Sequence, residues 1–447
     1  MTARDESAKM LASLMGIDQD EAAERLDRKV LITVGDQPSA MSLASEVTLL
    51  LERTLAITEV PDEAHLELVV GNTAPRAACP RQYAAADAVS VIVGSAPATR
   101  TASEAHPLVV MIYATAVSAA VLRAVAGDGA LPQGPDPLEV KASQLGLPKL
   151  DALAPLDLTG AVLVGAGAVG HGFLRALRTV PATGELVVLD PKKVGEGNLN
   201  RCLYLQPGDE GRDKVKALTE RAAPDFPTLR LAPMVGEFRQ YAETIDRVDT
   251  VIVTVDSRRA RRSIQEYAPR RVFDASTTDV TAVVMHVHEQ PTDGACLACI
   301  YRHIPDEHAR ERSIAEGLGI DLDTVAHGFI DEDAATRILK AHPGLDKADL
   351  IGKAFDSLFR QLCATQALTT AEGRQVLTPF AFVSSLAGAL IVVEMLRRAG
   401  GVTDANYWQV DPWLGPLARL RKYRSKSSEC VFCSSPDAQA LVWRWWG

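Results

Sequence analysis

Two kinds of hydrophobic patterning take turns along this chain: short apolar runs suited to buried strands, and longer stretches with helical spacing. In the first part, VLITVGD (30–36), HLELVVGN (65–72) and AVSVIVGS (88–95) read as strands, and residues 39–55 as an amphipathic helix. PLVVMIYA (107–114) runs on into an alanine-rich helix ending near Gly127. Such alternation predicts a mostly parallel sheet covered by helices, here a small α/β domain over residues 1–130. It holds no phosphate-binding glycine turn, so it has the layout of a nucleotide fold without the nucleotide site. The breaker-rich LPQGPDPLE (131–139) then predicts a linker across 131–150.

The pattern restarts near Leu156 and predicts a second α/β domain over 151–447. Strands are expected at 161–164, 186–190, 250–254, 271–274 and 281–289. A helical insertion follows at about 306–362, then a long apolar helix, PFAFVSSLAGALIVVEML (379–396). That helix approaches the length of a membrane span, but Ser384, Ser385 and Glu394 interrupt it, so it reads as a buried core helix.

Candidate chemistry enters at LTGAVLVGAGAVG (158–170). A strand leads into Gly165, Gly167 and Gly170 and a helix follows, an arrangement that brings phosphate to a helix N-terminus. Alone it more often marks a dinucleotide site, NAD or FAD, than an ATP site. Asp190, ending the next strand, suits a ribose hydroxyl pair under either reading. The segment after it separates the two. LDPKKVGEGNLNRCLYLQPGDEGRDKVKAL (189–218) carries Asn198, Arg201 and Lys214, for which a dehydrogenase has no use. An intact triphosphate needs such fixed donors and cations. Asp256, in VIVTVDSRRARRS (251–263), stands at another strand end and suits Mg²⁺. Solvated helix faces account for single charges, but not for four such groups in this order.

The chain has 447 residues, 47% hydrophobic and 23% charged, as expected of a soluble protein of two or three domains. A net charge of −10 with no long basic run argues against a nucleic-acid binder. The N-terminal stretch has no continuous apolar core, so a cytoplasmic protein without membrane contact is expected. Of seven cysteines, four form two CxxC pairs, Cys296/Cys299 and Cys430/Cys433. Four thiolates match a closed tetrahedral zinc site, with a redox role for either pair as the alternative. His286 and His288 share one face of a strand, where exposed polar positions are the reading favoured over a metal pair. The tryptophans of LVWRWWG (441–447) read as packing or partner contacts.

In these residues the second domain resembles the ThiF/MoeB and ubiquitin-activating family of adenylating enzymes, bacterial members included. The matching elements are Gly165 to Gly170, Asp190, NLNR (198–201), GRDK (211–214), Asp256 with Arg261, both CxxC pairs, and the proline-led helix at Pro379. The resemblance implies ATP, with Asp190 on the ribose, Asn198, Arg201 and Lys214 around the phosphates, and Asp256 on Mg²⁺. It also implies a structural Zn²⁺ on Cys296, Cys299, Cys430 and Cys433. Two positions depart from the family pattern: Lys192 stands where a second acid is common, and Cys202 where glutamine often follows the arginine. Altered local packing is expected from both.

The activity implied is adenylation of the C-terminal glycine of a β-grasp, ubiquitin-like protein, followed by a thioester on a cysteine and, further on, a conjugating enzyme. Cys363 is the expected acyl acceptor, a buried apolar role being its alternative, with Cys79 the outside candidate. Two other activities stay open: adenylation of a sulfur carrier of the thiamin or molybdopterin type, and a catalytically dead scaffold. The first domain reads either as a shortened inactive lobe, which would make a pseudo-dimeric monomer, or as an unrelated fused domain. A homodimer is the other oligomeric expectation.

Overall fold

A computed structural model describes residues 2–101, 103–127, 131–279, 282–302, 307–326, 330–353, 355, 358–359, 362 and 380–447. The first unit opens with helices α1 (Ala3–Met15) and α2 (Gln19–Leu26). It continues through β1 (Val30–Val34), α3 (Pro38–Leu51), β2 (Ile57–Thr58), β3 (Leu66–Val70) and β4 (Arg81–Ala86). It closes with β5 (Ser90–Gly94), α4 (Pro107–Ala126) and β6 (Leu138–Lys141). The sheet order is β2-β1-β3-β4-β5-β6, parallel as far as β4 and antiparallel beyond it.

Two of these strands carry no strong apolar signature. β4 reads RQYAAA, yet Ala84, Ala85 and Ala86 are buried, and small side chains there let α3 and α4 lie close to the sheet. β6 lies inside the stretch expected to be a linker. Leu138 and Val140 are buried while Glu139 and Lys141 are exposed, the two-residue period of a strand with one wet face. The first unit therefore extends past residue 130, through the segment read as a linker.

The second unit begins with β7 (Leu156–Asp157), β8 (Ala161–Val164), α5 (Ala168–Leu177), β9 (Ala182–Leu189) and α6 (Lys214–Ala222). β10 (Leu229–Met234), α7 (Phe238–Ala242), β11 (Thr250–Val253), α8 (Arg258–Glu266), β12 (Arg271–Asp279) and β13 (Ala282–Glu289) follow. A short α9 (Leu297–Ile300) precedes the insertion helices α10 (Glu307–Leu318), α11 (Leu322–Ala326), α12 (Glu332–Ala341) and α13 (Lys347–Leu350). The insertion has a core of its own, with Ile314, Leu318, Ile338, Phe355 and Phe359 in it. The chain ends on α14 (Ala381–Ala399), β14 (Tyr407–Val410), β15 (Arg421–Lys422) and α15 (Pro436–Trp446). The sheet order is β10-β9-β8-β11-β12-β13-β14-β15, parallel through β12 and antiparallel after it.

The two sheets share a plan. β1, β2, β3, β4, β5 and β6 stand to one another as β8, β9, β11, β12, β13 and β14 do, in neighbours and in direction. α3 follows β1 as α5 follows β8, and α4 precedes β6 as α14 precedes β14. α4 and α14 pack on each other, so one apolar core runs through both units. Among the described residues one helix, α4, is long and apolar enough to cross a membrane, and it is buried here. α14, the apolar helix read at 379–396, is likewise buried, as expected. It crosses α5 where Gly172 faces Gly388. A Cβ on Gly388 would fall 2.1 Å from the backbone nitrogen of Phe173.

Candidate functional site

β8 is the strand from which the chain first winds one way, to β9 and β10, and then the other, to β11 and β12. In such a sheet the crevice at the strands' C-terminal ends, where the direction reverses, is where ligands bind. The turn from Gly165 to Gly170 lies there. Gly165 has φ +109°, and a Cβ on it would meet Thr254 at 2.9 Å. Thr254, after β11, fastens the turn by giving its hydroxyl proton to the Gly165 carbonyl at 2.7 Å. A Cβ on Gly170 would lie 2.4 Å from the Gly165 carbonyl oxygen, so turn and helix close only with hydrogen there. At Gly167 a Cβ would meet nothing within 4 Å. Gly167 is also the N-cap of α5 and offers no side-chain cap, so the helix presents its first amides to this open side.

Asp190 follows β9 and is buried. Its carboxylate accepts from the Ala166 amide at 2.9 Å and from the Lys192 amide at 2.8 Å, which ties it to the glycine turn. Asn198 accepts from the Gly195 amide at 3.0 Å and so closes the loop in front of it. Arg201 is half-buried and donates to the Gly197 carbonyl at 2.7 Å and to Asn200 Oδ1 at 2.6 Å. Lys214 begins α6, and its amide donates to the Lys192 carbonyl at 3.0 Å. Arg201, Lys214 and Asp190 surround Cys202 closely enough for all three charges to act on its thiol. Burial dominates there and holds the thiol protonated. The structure thus brings Gly165, Gly167, Gly170, Asp190, Asn198, Arg201 and Lys214 to one end of the sheet.

Asp256 lies past the end of β11, exposed, with Lys192 Nζ 3.8 Å from its carboxylate. Lys192, the departure noted in the sequence, thus places a cation beside the residue expected to serve Mg²⁺. Arg261 points elsewhere. It is buried under the strand ends, paired with Asp274, and donates to the Val255 and Ala275 carbonyls and to the Tyr301 hydroxyl. Its work is to hold β11 and β12 in place. Cys363 lies outside the described residues.

The four CxxC thiols meet as the sequence suggested. Their sulfurs stand 3.5 Å to 3.7 Å apart along Cys296–Cys299, Cys296–Cys430, Cys299–Cys433 and Cys433–Cys296. A tetrahedron of Zn–S bonds has edges of about 3.8 Å, whereas a disulfide would need about 2.05 Å. The donor set therefore fits a structural zinc ion. Lys426 and Ala295 add backbone bonds between the same two segments. Nearby, Trp446 bonds the Ala268 carbonyl at 2.8 Å and sits 5.3 Å from the Arg247 guanidinium, while Trp443 is exposed.

The histidine pair corrects the sequence reading. His286 and His288 are fully buried, not exposed, because a loop at Ala295 covers this face of β13; His286 Nε2 meets the Ala295 carbonyl at 2.7 Å. Burial depresses the His286 pKa to about 4. Residues the sequence did not single out are Thr254, His171 and Arg53, whose roles depend on contacts across the fold.

A family model described as "ThiF family" matches residues 142–432, and one described as "E1 N-terminal domain" matches residues 1–148. A Sinorhizobium fredii protein, "Uncharacterized protein y4jF", is 27% identical over 309 residues, 63% of this chain and 58% of that protein. The chain thus spans under two thirds of that relative's length. Among solved structures, Escherichia coli MccB is similar at 13% identity and TM-score 0.38, over 64% of this chain and 66% of that one. MccB with ATP gives 14% and 0.35, over 64% and 67%.

Proposed function

The chain belongs to the ThiF family, and from that premise we propose that it is an ATP-dependent adenylyltransferase acting on the C-terminal carboxylate of a peptide or protein. The observation that carries this reading is the convergence of the open glycine turn, Asp190, Arg201 and Lys214 at the switch point of the second sheet. ATP would lie with its ribose hydroxyls at Asp190 and its phosphates along the α5 N-terminus, opposed by Arg201 and Lys214. Asp256 would hold Mg²⁺, which offsets phosphate charge. A carboxylate oxygen of the substrate attacks the α-phosphorus. The bond from that phosphorus to the bridging oxygen of pyrophosphate breaks, giving acyl-adenylate and pyrophosphate. The chain's contribution is alignment and fixed positive charge.

Adenylation is the step proposed; a thioester after it would rest on Cys363, which lies outside the described residues. Among the described residues no cysteine is suited to acyl transfer. Cys202 is buried and protonated, burial raises the Cys79 thiol in the other unit, and the remaining four cluster for zinc. A β-grasp protein ending in glycine, of the sulfur-carrier or ubiquitin-like kind, is the specific substrate we would test first. The first unit is read as an adenylation lobe without a nucleotide site. Its turn after β1 is filled by Gln37, whose Oε1 accepts from the Asn72 amide at 3.1 Å, and Pro38 removes a helix amide. Two lobes in one chain make the monomer the proposed working unit, in the cytoplasm where ATP is available.

The test is ATP–pyrophosphate exchange with candidate C-terminal peptides and β-grasp proteins. Exchange is expected with at least one, and to fall by about tenfold or more in Lys214→Ala or Arg201→Ala. No exchange with any substrate would favour the scaffold reading. A thiol-sensitive adduct that disappears in Cys363→Ala would restore the thioester step.

A further inference from the structure

The loop carrying Asn198 and Arg201 is not held by its own domain alone. Just beyond the end of α3, in the first unit, Arg53 extends its guanidinium into the second. It donates to the carbonyls of Leu199 at 2.9 Å, Leu203 at 3.0 Å and Leu205 at 3.2 Å. These carbonyls flank Arg201 on both sides. A second tie comes from α1. Asn200 Nδ2 donates to the buried Ser7 hydroxyl at 3.1 Å, while Asn200 Oδ1 accepts from Arg201. A continuous set of hydrogen bonds thus runs from α1 through Asn200 to the Arg201 guanidinium.

We propose that Arg53 and Ser7 are positioning residues by which the first lobe sets the phosphate-binding loop of the second. This rests on the reading of that loop given above. The loop's own amides take up the Asn198 and Cys202 carbonyls, whereas those of Leu199, Leu203 and Leu205 are met by Arg53 from the other unit. The planar guanidinium reaches the three carbonyls from two nitrogens, Nη1 to Leu199 and Leu205 and Nη2 to Leu203, a fixed fork that the single ammonium of a lysine does not reproduce. Preorganising Arg201 then lowers the cost of meeting phosphate. A lobe that has no nucleotide of its own is retained, on this account, because the other lobe's site depends on it.

The interface offers a built-in control. Glu46, on the same helix α3, pairs with Arg175 at 2.8 Å and Arg178 at 3.1 Å, joining the lobes away from the three carbonyls that Arg53 holds. The experiment compares full-length wild type, Arg53→Ala, Arg53→Lys, Ser7→Ala and Glu46→Gln by amide hydrogen exchange over residues 198–205 and by calorimetric binding of Mg-ATP. Arg53→Ala and Arg53→Lys are expected to speed exchange in that loop and to weaken Mg-ATP by about tenfold. Ser7→Ala should move both readouts the same way by less, and it decides the matter if the Arg53 variants do not fold. Glu46→Gln should leave both within about twofold of wild type. The proposal is overturned if folded Arg53→Ala matches wild type in both, or if Glu46→Gln shifts them equally. If wild type binds no Mg-ATP, the adenylation reading fails, and the exchange data still judge the positioning role.

Discussion

His171 shows how much of this site is set one side chain at a time. It follows Gly170 on α5, is fully buried, and accepts from the Tyr204 amide at 3.2 Å, which links the glycine helix to the loop after Arg201. Burial, helped by the nearby charges of Lys214 and Arg53, depresses its pKa from 6.5 to about 3. A depressed histidine binds its proton in the unfolded chain before it does so in the fold. Its stabilising contribution is therefore complete above pH 6.5 and is lost as pH falls from there toward 3. Thermal melts from pH 7.5 downward (a range set by the reference histidine value) should show Tm falling below pH 6.5. His171→Asn, which keeps an acceptor for Tyr204, should flatten that fall. An unchanged slope would mean that other groups carry it.

At the scale of elements, the contact between α5 and α14 and the zinc clasp decide whether the site has a frame. Gly388 lies against the backbone of Gly172 and Phe173, with no flexible side chain to yield. Gly388→Ala is thus expected to destabilise the protein by about 1–3 kcal/mol, as overpacking does, read as a lowered denaturation midpoint. A neutral effect would contradict this helix crossing. The four thiols should bind one zinc per chain, measurable by metal analysis. Cys430→Ser or chelation should release it and loosen residues 421–447, seen as faster proteolysis there, while the α5 end of the sheet keeps its exchange protection.

These elements also show which features a sequence can reveal. The glycine turn, Asp190, the NLNR loop and the CxxC pairs were legible because each is written in neighbouring residues with strict backbone or ligand demands. β4 and β6 were not, since RQYAAA and LEVK become strands only when a helix or a neighbouring strand covers them. The buried His286 and His288 were misjudged for the same reason: strand alternation gives the face, not what lies over it. Arg53 could not have been found, because its partners are carbonyls about 150 residues away.

For the whole molecule, two lobes of one plan share a core, and among the described residues only the second has an open glycine turn with cations around it. The first keeps the strand order but fills its turn with Gln37. On this reading the second lobe takes an intact triphosphate and the first lobe sets its loop. The most direct measurement is a crystal structure of the full chain with a non-hydrolysable ATP analogue and Mg²⁺. The ribose is expected at Asp190 and the phosphates between the α5 N-terminus, Arg201 and Lys214. Phosphates bound elsewhere, or a pocket that accepts only a nicotinamide or flavin dinucleotide, would contradict it.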